Sequence, residues 1–132
     1  MIEGGCLCGG IRYQYDGEIE EISLCHCSQC RKAQGSAFAA VSPLDSARFR
    51  IIAGAGLLKE YRSSPGKVRT FCANCGSPIY SARDDVPEVK RLRIGTVDTP
   101  IVCDNIFHIY VDSKASWFDI ADRHPRFAER KR

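Results

Sequence analysis

The sequence predicts a mainly β domain built from short strands. Three observations lead there. Brief alternating or apolar runs follow one another along the whole chain, glycine and proline interrupt them at close intervals, and helical periodicity is sparse. The cysteines fall at the ends of these runs and in the turns between them.

Taken in order, GIRYQYDG alternates and stops at Gly17. EEISLC runs into the thiol of Cys25, and SAFAAVSP is an apolar run that Pro43 is expected to close. ARFRIIAG alternates Phe49 and Ile51 with Arg48 and Arg50, then breaks at Gly54. LLKEYRSS and KVRTFC flank SSPGK, where Pro65 and Gly66 predict a hairpin turn. SPIYSA, VKRLRIG and NIFHIYV complete the expected antiparallel set. SQCRKAQG, ended by Gly35, reads as one or two turns of helix. The basic tail from residue 127 to 132, with AERKR at its end, is expected to fray.

A chain of 132 residues suits one domain and is long enough to bury a core without staples. With 44% hydrophobic and 27% charged residues it is neither disordered nor fibrous in composition. No apolar run approaches the roughly 20 residues that span a bilayer, so no membrane partner is expected. MIEGGCLC lacks the basic and apolar regions of a secretory signal, which predicts a soluble cytoplasmic protein.

Eight cysteines are the unusual feature, and in a cytoplasmic chain clustered thiols point to metal rather than disulfides. The formal charge of +3 counts them as neutral. Seven thiolates around two Zn2+ ions would carry a net charge of minus three and cancel it. The basic balance is therefore poor support for a nucleic-acid partner.

CANCG places Cys72 and Cys75 two residues apart before Gly76, the pattern of a zinc knuckle, in which glycine supplies the positive φ of the turn. The pair needs two more ligands. CLCGG offers Cys6 and Cys8, again beside glycines, and the four together make a closed structural site. CHCSQC then holds Cys25, Cys27 and Cys30, three thiols where a tetrahedral ion wants four ligands. Three protein ligands with an open position mark a catalytic or substrate-binding site. Cys103, alone in IVCDN, is expected to be a small core residue, and His26 to point away from an ion shared by its two neighbours.

The segments GGCLCGGIRY, CHCSQCRKAQGSAF, RTFCANCGSPIY and HIYVDSKASWFDI resemble the glutathione-dependent formaldehyde-activating enzyme family, whose domain also occurs in centromere protein V. The resemblance runs from about Gly4 to Phe127. It implies a zinc-stabilised β-tent fold, a structural zinc at Cys6, Cys8, Cys72 and Cys75, and a three-thiolate site at Cys25, Cys27 and Cys30 that meets substrate. It implies carbon–sulfur lyase chemistry on a glutathione adduct such as S-hydroxymethylglutathione.

A three-thiolate zinc site favours a thiol as its fourth partner, because the ion lowers that thiol's pKa. Cys25, Cys27 and Cys30 are the catalytic candidates. Arg31 and Lys32, next in sequence, are candidates to dock a carboxylate of glutathione. His108 reads as a structural histidine, and Trp117 and Phe118 as core. The competing reading is a non-catalytic zinc-stabilised β module that binds a protein or nucleic acid. It draws on Arg130, Lys131 and Arg132, but no strand shows the interleaved basic and aromatic pattern of single-strand binders. An iron–sulfur cluster would use the same thiols.

Overall fold

The computed structural model describes residues 1–131 as two sheets packed face to face. The small sheet joins β1 (Ile2–Gly5), β2 (Arg12–Tyr15) and β5 (Phe49–Ala53). The large one has seven strands. They are β3 (Ile22–Cys25), β4 (Ala39–Asp45), β6 (Leu58–Ser64), β7 (Lys67–Cys72), β8 (Pro78–Arg83), β9 (Val89–Arg93) and β10 (Ile106–Ile109). Across the large sheet the order is β10-β3-β4-β9-β8-β7-β6. Among the described residues the one α-helix, α1 (Ser28–Gln34), ends at Gly35, whose φ of 64° suits the left-handed cap and whose amide bonds the Arg31 carbonyl at 2.8 Å.

The β-rich expectation holds, with four changes. β1 is an extra strand. Its Gly4 and Gly5 weaken any strand signal in sequence. Gly4 is needed there because a Cβ would collide with the Tyr13 side chain and the Thr96 carbonyl. β4 continues through Pro43 to Asp45, whereas Pro43 was expected to end it. Pairing with β3 stops at Val41, so Pro43 sits where β4 has a neighbour on one side only. β10 runs parallel to β3, the exception in an otherwise antiparallel sheet. Finally, the expected fraying from residue 127 is corrected. The Tyr110 amide bonds the Glu129 carbonyl at 2.8 Å, the Phe127 amide bonds the His108 carbonyl at 3.0 Å, and Lys131 Nζ lies 4.5 Å from the Phe107 ring centroid. This segment covers the outer edge of β10, which would otherwise present unpaired backbone groups. Arg132 lies outside the described residues.

Period-two alternation divides the large sheet into two faces. One face packs Leu44 and Leu92 against Tyr13, Tyr15 and Phe49 of the small sheet, forming the main core. Each fully buried large apolar side chain there contributes about 1.5–3 kcal/mol. The other face carries Cys25, Ala39, Val41 and Ile109, with α1 above it. Among the described residues no helix is long and apolar enough to cross a membrane.

Candidate metal centres and the cleft at the open one

The CLCGG and CANCG turns fold onto each other. Gly9 and Gly76 take φ values of 78° and 80°, which only glycine adopts without strain, so each turn can reverse within its thiol pair. The Gly9 amide bonds the Cys6 carbonyl at 3.0 Å and the Gly76 amide bonds the Cys72 carbonyl at 2.8 Å. The Leu7 amide donates to Ser77 Oγ at 2.9 Å and stitches the two turns together. The sulfurs of Cys6, Cys8, Cys72 and Cys75 consequently lie within 4.8 Å of one another. Cys6 to Cys8 is 3.5 Å and Cys8 to Cys72 is 3.9 Å. A tetrahedral ion with metal–sulfur bonds of about 2.3 Å needs sulfurs about 3.8 Å apart, so the donor set fits zinc. Hydrogen bonding from Ser77 holds the Cys75 thiol down at about 5, and the Asn74 side chain lowers that of Cys8.

The second cluster sits on the opposite face of the large sheet. Cys25 ends β3, Cys27 caps α1 and Cys30 lies in its first turn. The Cys30 amide donates to Cys27 Sγ at 3.4 Å, so the local turn that starts the helix also aims the thiols. The three sulfurs lie within 4.8 Å of one another, with Cys25 and Cys27 at 3.5 Å. Hydrogen bonds from Cys25 and Cys27 hold the Cys30 thiol far below its ordinary range, and Arg69 adds to this with Nη2 at 3.7 Å. Hydrogen bonds with Cys27 and Cys30, together with burial, push Cys25 up.

Cys103 joins neither cluster. It is half-buried against the main core, with its thiol 3.8 Å from the Asn105 carbonyl.

The three thiols open onto a cleft of about 720 Å3. Its floor comes from strand register. Cys25 faces Ala39, Val41 faces Arg93, Arg91 faces Ser81, and Lys67 faces Arg83, so these side chains share one face. Lys67, Arg91 and Arg93 therefore line the same cleft as Cys25, Cys27 and Cys30. Sequence reasoning missed them. The signal was present as alternating bases, Lys67 and Arg69 in KVRTFC and Arg91 and Arg93 in VKRLRIG. Arg31 and Lys32, nominated for this role, are not among the lining residues. Arg31 turns its Nε to the His26 carbonyl at 3.3 Å, and Lys32 is exposed.

His26 and His108 are buried on the other side of the Cys25–Cys27 segment. Asp122 accepts from His108 Nε2 at 2.9 Å. In the neutral tautomer that leaves His108 Nδ1 as an acceptor, and His26 Nε2 donates across the 2.8 Å contact. His26 Nδ1 is then an acceptor without a partner, packed near Phe38 and Phe118. Neither histidine reaches the cleft. Trp117, expected in the core, is 71% exposed. Phe118 is half-buried against His26 and Phe38.

Three comparisons bear on this arrangement. A family model described as glutathione-dependent formaldehyde-activating enzyme matches residues 1–113. An uncharacterized lyase of Schizosaccharomyces pombe is 36% identical over 80 residues, which cover 61% of this chain and 56% of the relative. The matched stretch thus spans little more than half of that relative's length. A solved protein of Rhodobacter sphaeroides shares the fold, with a TM-score of 0.62 at 23% identity over 74% of this chain and 89% of that one.

Proposed function

Because the chain belongs to the glutathione-dependent formaldehyde-activating enzyme family, we propose that it is a zinc-dependent carbon–sulfur lyase acting on the adduct of a small thiol with an aldehyde. The observation that carries this is the pairing of one closed and one open thiol cluster on opposite faces of a single sheet. Cys6, Cys8, Cys72 and Cys75 hold a structural ion. Cys25, Cys27 and Cys30 hold a second ion that faces the cleft. Zinc in the open site supplies a Lewis acid that favours the thiolate form of a substrate sulfur.

The reaction breaks the bond between sulfur and the hydroxyl-bearing carbon of the adduct. The electron pair stays on sulfur, the hydroxyl proton passes to water, and an aldehyde leaves; the reverse direction joins thiol and aldehyde. The chain's own groups serve the anionic side of this change. Arg69 donates to Cys30 Sγ, and Arg91, Arg93 and Lys67 offset negative charge gathered at the thiols. Those cations face inward with the thiols instead of spreading over an outer surface. This favours a small thiol over a nucleic acid as partner.

The test is the rate at which glutathione and formaldehyde exchange with S-hydroxymethylglutathione, followed by NMR with protein carrying two zinc ions per chain. Acceleration that is lost in Cys27→Ser supports the reading. An exchange rate unchanged by the fully loaded protein would remove it.

A further inference from the structure

We infer that the cleft selects thiols bearing about two anionic groups and makes no use of a substrate amine. This rests on the thiol-lyase reading above and names its substrate class: acidic thiols, with or without an amino group.

The first observation is a surplus of unpaired cations. Arg93 is 4% exposed, yet its Nη1 bonds only neutral oxygens, Ser81 Oγ at 3.2 Å and the Arg91 carbonyl at 3.1 Å. Arg91 Nη2 reaches Ser23 Oγ at 3.4 Å. Arg69 has Nε and Nη1 buried without a partner. Among the described residues none of Lys67, Arg69, Arg91 and Arg93 meets a carboxylate within ion-pair distance. Arg83, also on the wall, is already paired with Asp85 at 3.1 Å. A buried guanidinium without a counter-charge is costly, so a fold that keeps buried Arg93 together with half-buried Lys67, Arg69 and Arg91 has an anion to receive.

The second observation is a charge count. Zinc held by three thiolates carries one negative charge, and a substrate thiolate makes it two. Lys67, Arg69, Arg91 and Arg93 supply four positive charges next to it, and the exposed Arg130 on the same wall is a fifth. Two charges remain uncompensated on the floor, three with Arg130, which accommodates a thiol with two carboxylates or one phosphate dianion. Arginine suits this because its planar fork matches either group.

The third observation concerns what the wall lacks. No Asp or Glu is among the residues lining the cleft. Besides the cations, Arg83 and Arg130 included, the wall groups are thiols, hydroxyls of Ser28, Ser64, Ser81, Tyr110 and Ser113, the Gln29 amide and apolar side chains. An ammonium entering here would meet cations and no carboxylate. Glutathione can satisfy the site through its two carboxylates, but its amine adds nothing, and a simpler dicarboxylic thiol satisfies it as well.

The experiment titrates zinc-loaded protein with five thiols by calorimetry, with zinc-edge X-ray absorption confirming sulfur ligation. Mercaptosuccinate, glutathione and N-acetylglutathione are expected to bind within about threefold of one another. Glutathione diethyl ester and 2-mercaptoethanol are expected to bind at least about tenfold more weakly. In Arg91→Gln the ratio of glutathione to 2-mercaptoethanol affinity should fall about tenfold. Arg93→Lys, which keeps the buried charge, should preserve most of that ratio. Equal binding of charged and uncharged thiols overturns this inference and leaves the lyase reading standing. So does a loss of more than tenfold on acetylating the amine. If no thiol alters the zinc edge, the lyase reading falls and this inference with it.

Discussion

At the scale of single residues, the chemistry next to the open thiol cluster is set by tautomers and burial. Asp122 lies 2.9 Å from His108 Nε2, and His108 Nδ1 lies 2.8 Å from His26 Nε2, so the two buried rings fix one another's orientation. Burial pushes the His26 pKa down, and His108 adds to the effect. In the unfolded chain His26 takes up a proton near the ordinary value of about 6.5. The folded state resists that proton until lower pH, so the unfolded state binds more protons in the interval. Stability therefore rises with pH through this window and is lost as pH falls from about 7 towards the depressed folded value. His26→Gln removes the titrating group, and its stability should depend less on pH there. Urea unfolding at pH 7 and pH 5.5, with zinc saturating in both proteins, measures the two slopes. Parallel slopes would remove His26 as their source.

At the scale of elements, the thiol-bearing turns were legible in the sequence and the cationic floor was not. Cys72 and Cys75 announce themselves because both ligands and the required glycine lie within five residues. Arg91 and Arg93 look like the solvated half of an amphipathic strand. Only the register of β4, β8 and β9 shows that this half faces a cleft. Proximity in sequence pointed instead to Arg31 and Lys32, because the first turns of α1 are adjacent to Cys30. The helix carries Lys32 outward and turns Arg31 to a backbone carbonyl. Trp117 misled in a similar way: a large apolar ring predicts core, but no sequence pattern fixes which of two adjacent aromatics turns inward. The β6–β7 hairpin was read correctly from Pro65 and Gly66, and its turn makes a quantitative case. Gly66 has a φ of 77°, and a Cβ there would touch nothing within 4 Å. Gly66→Ala thus isolates backbone strain from steric collision. It should cost about 1–2 kcal/mol, seen as a lower urea midpoint with an unchanged m-value. No measurable change would mean that this turn relaxes when the side chain is added.

At the scale of the whole molecule, the two thiol clusters have different mechanical positions. The closed one joins the end of β1, in the small sheet, to the β7–β8 turn of the large sheet. It clamps across the main core through its own Cys72, which is fully buried. The open cluster connects β3 to α1, elements that are already neighbours in the chain. A clamp between distant segments restricts the unfolded chain more than one between near segments, because it closes a longer loop. It also has one more protein thiolate and no face open to the cleft. Metal removal should therefore occur in two stages. Increasing chelator should first take about one zinc per chain and abolish thiol binding while the near-ultraviolet circular dichroism stays native. Loss of the second ion should then unfold the protein, since binding energy at a closed site is folding energy. Variants separate the stages independently. Cys27→Ala should skip the first one at the cost of the α1 cap, about 1 kcal/mol. Cys72→Ala should lower the melting temperature by on the order of 10 °C or more. Elemental analysis alongside each spectrum gives the stoichiometry. Simultaneous loss of both ions and of the fold, or equal melting losses in the two variants, would show that the clusters do not divide structure from chemistry.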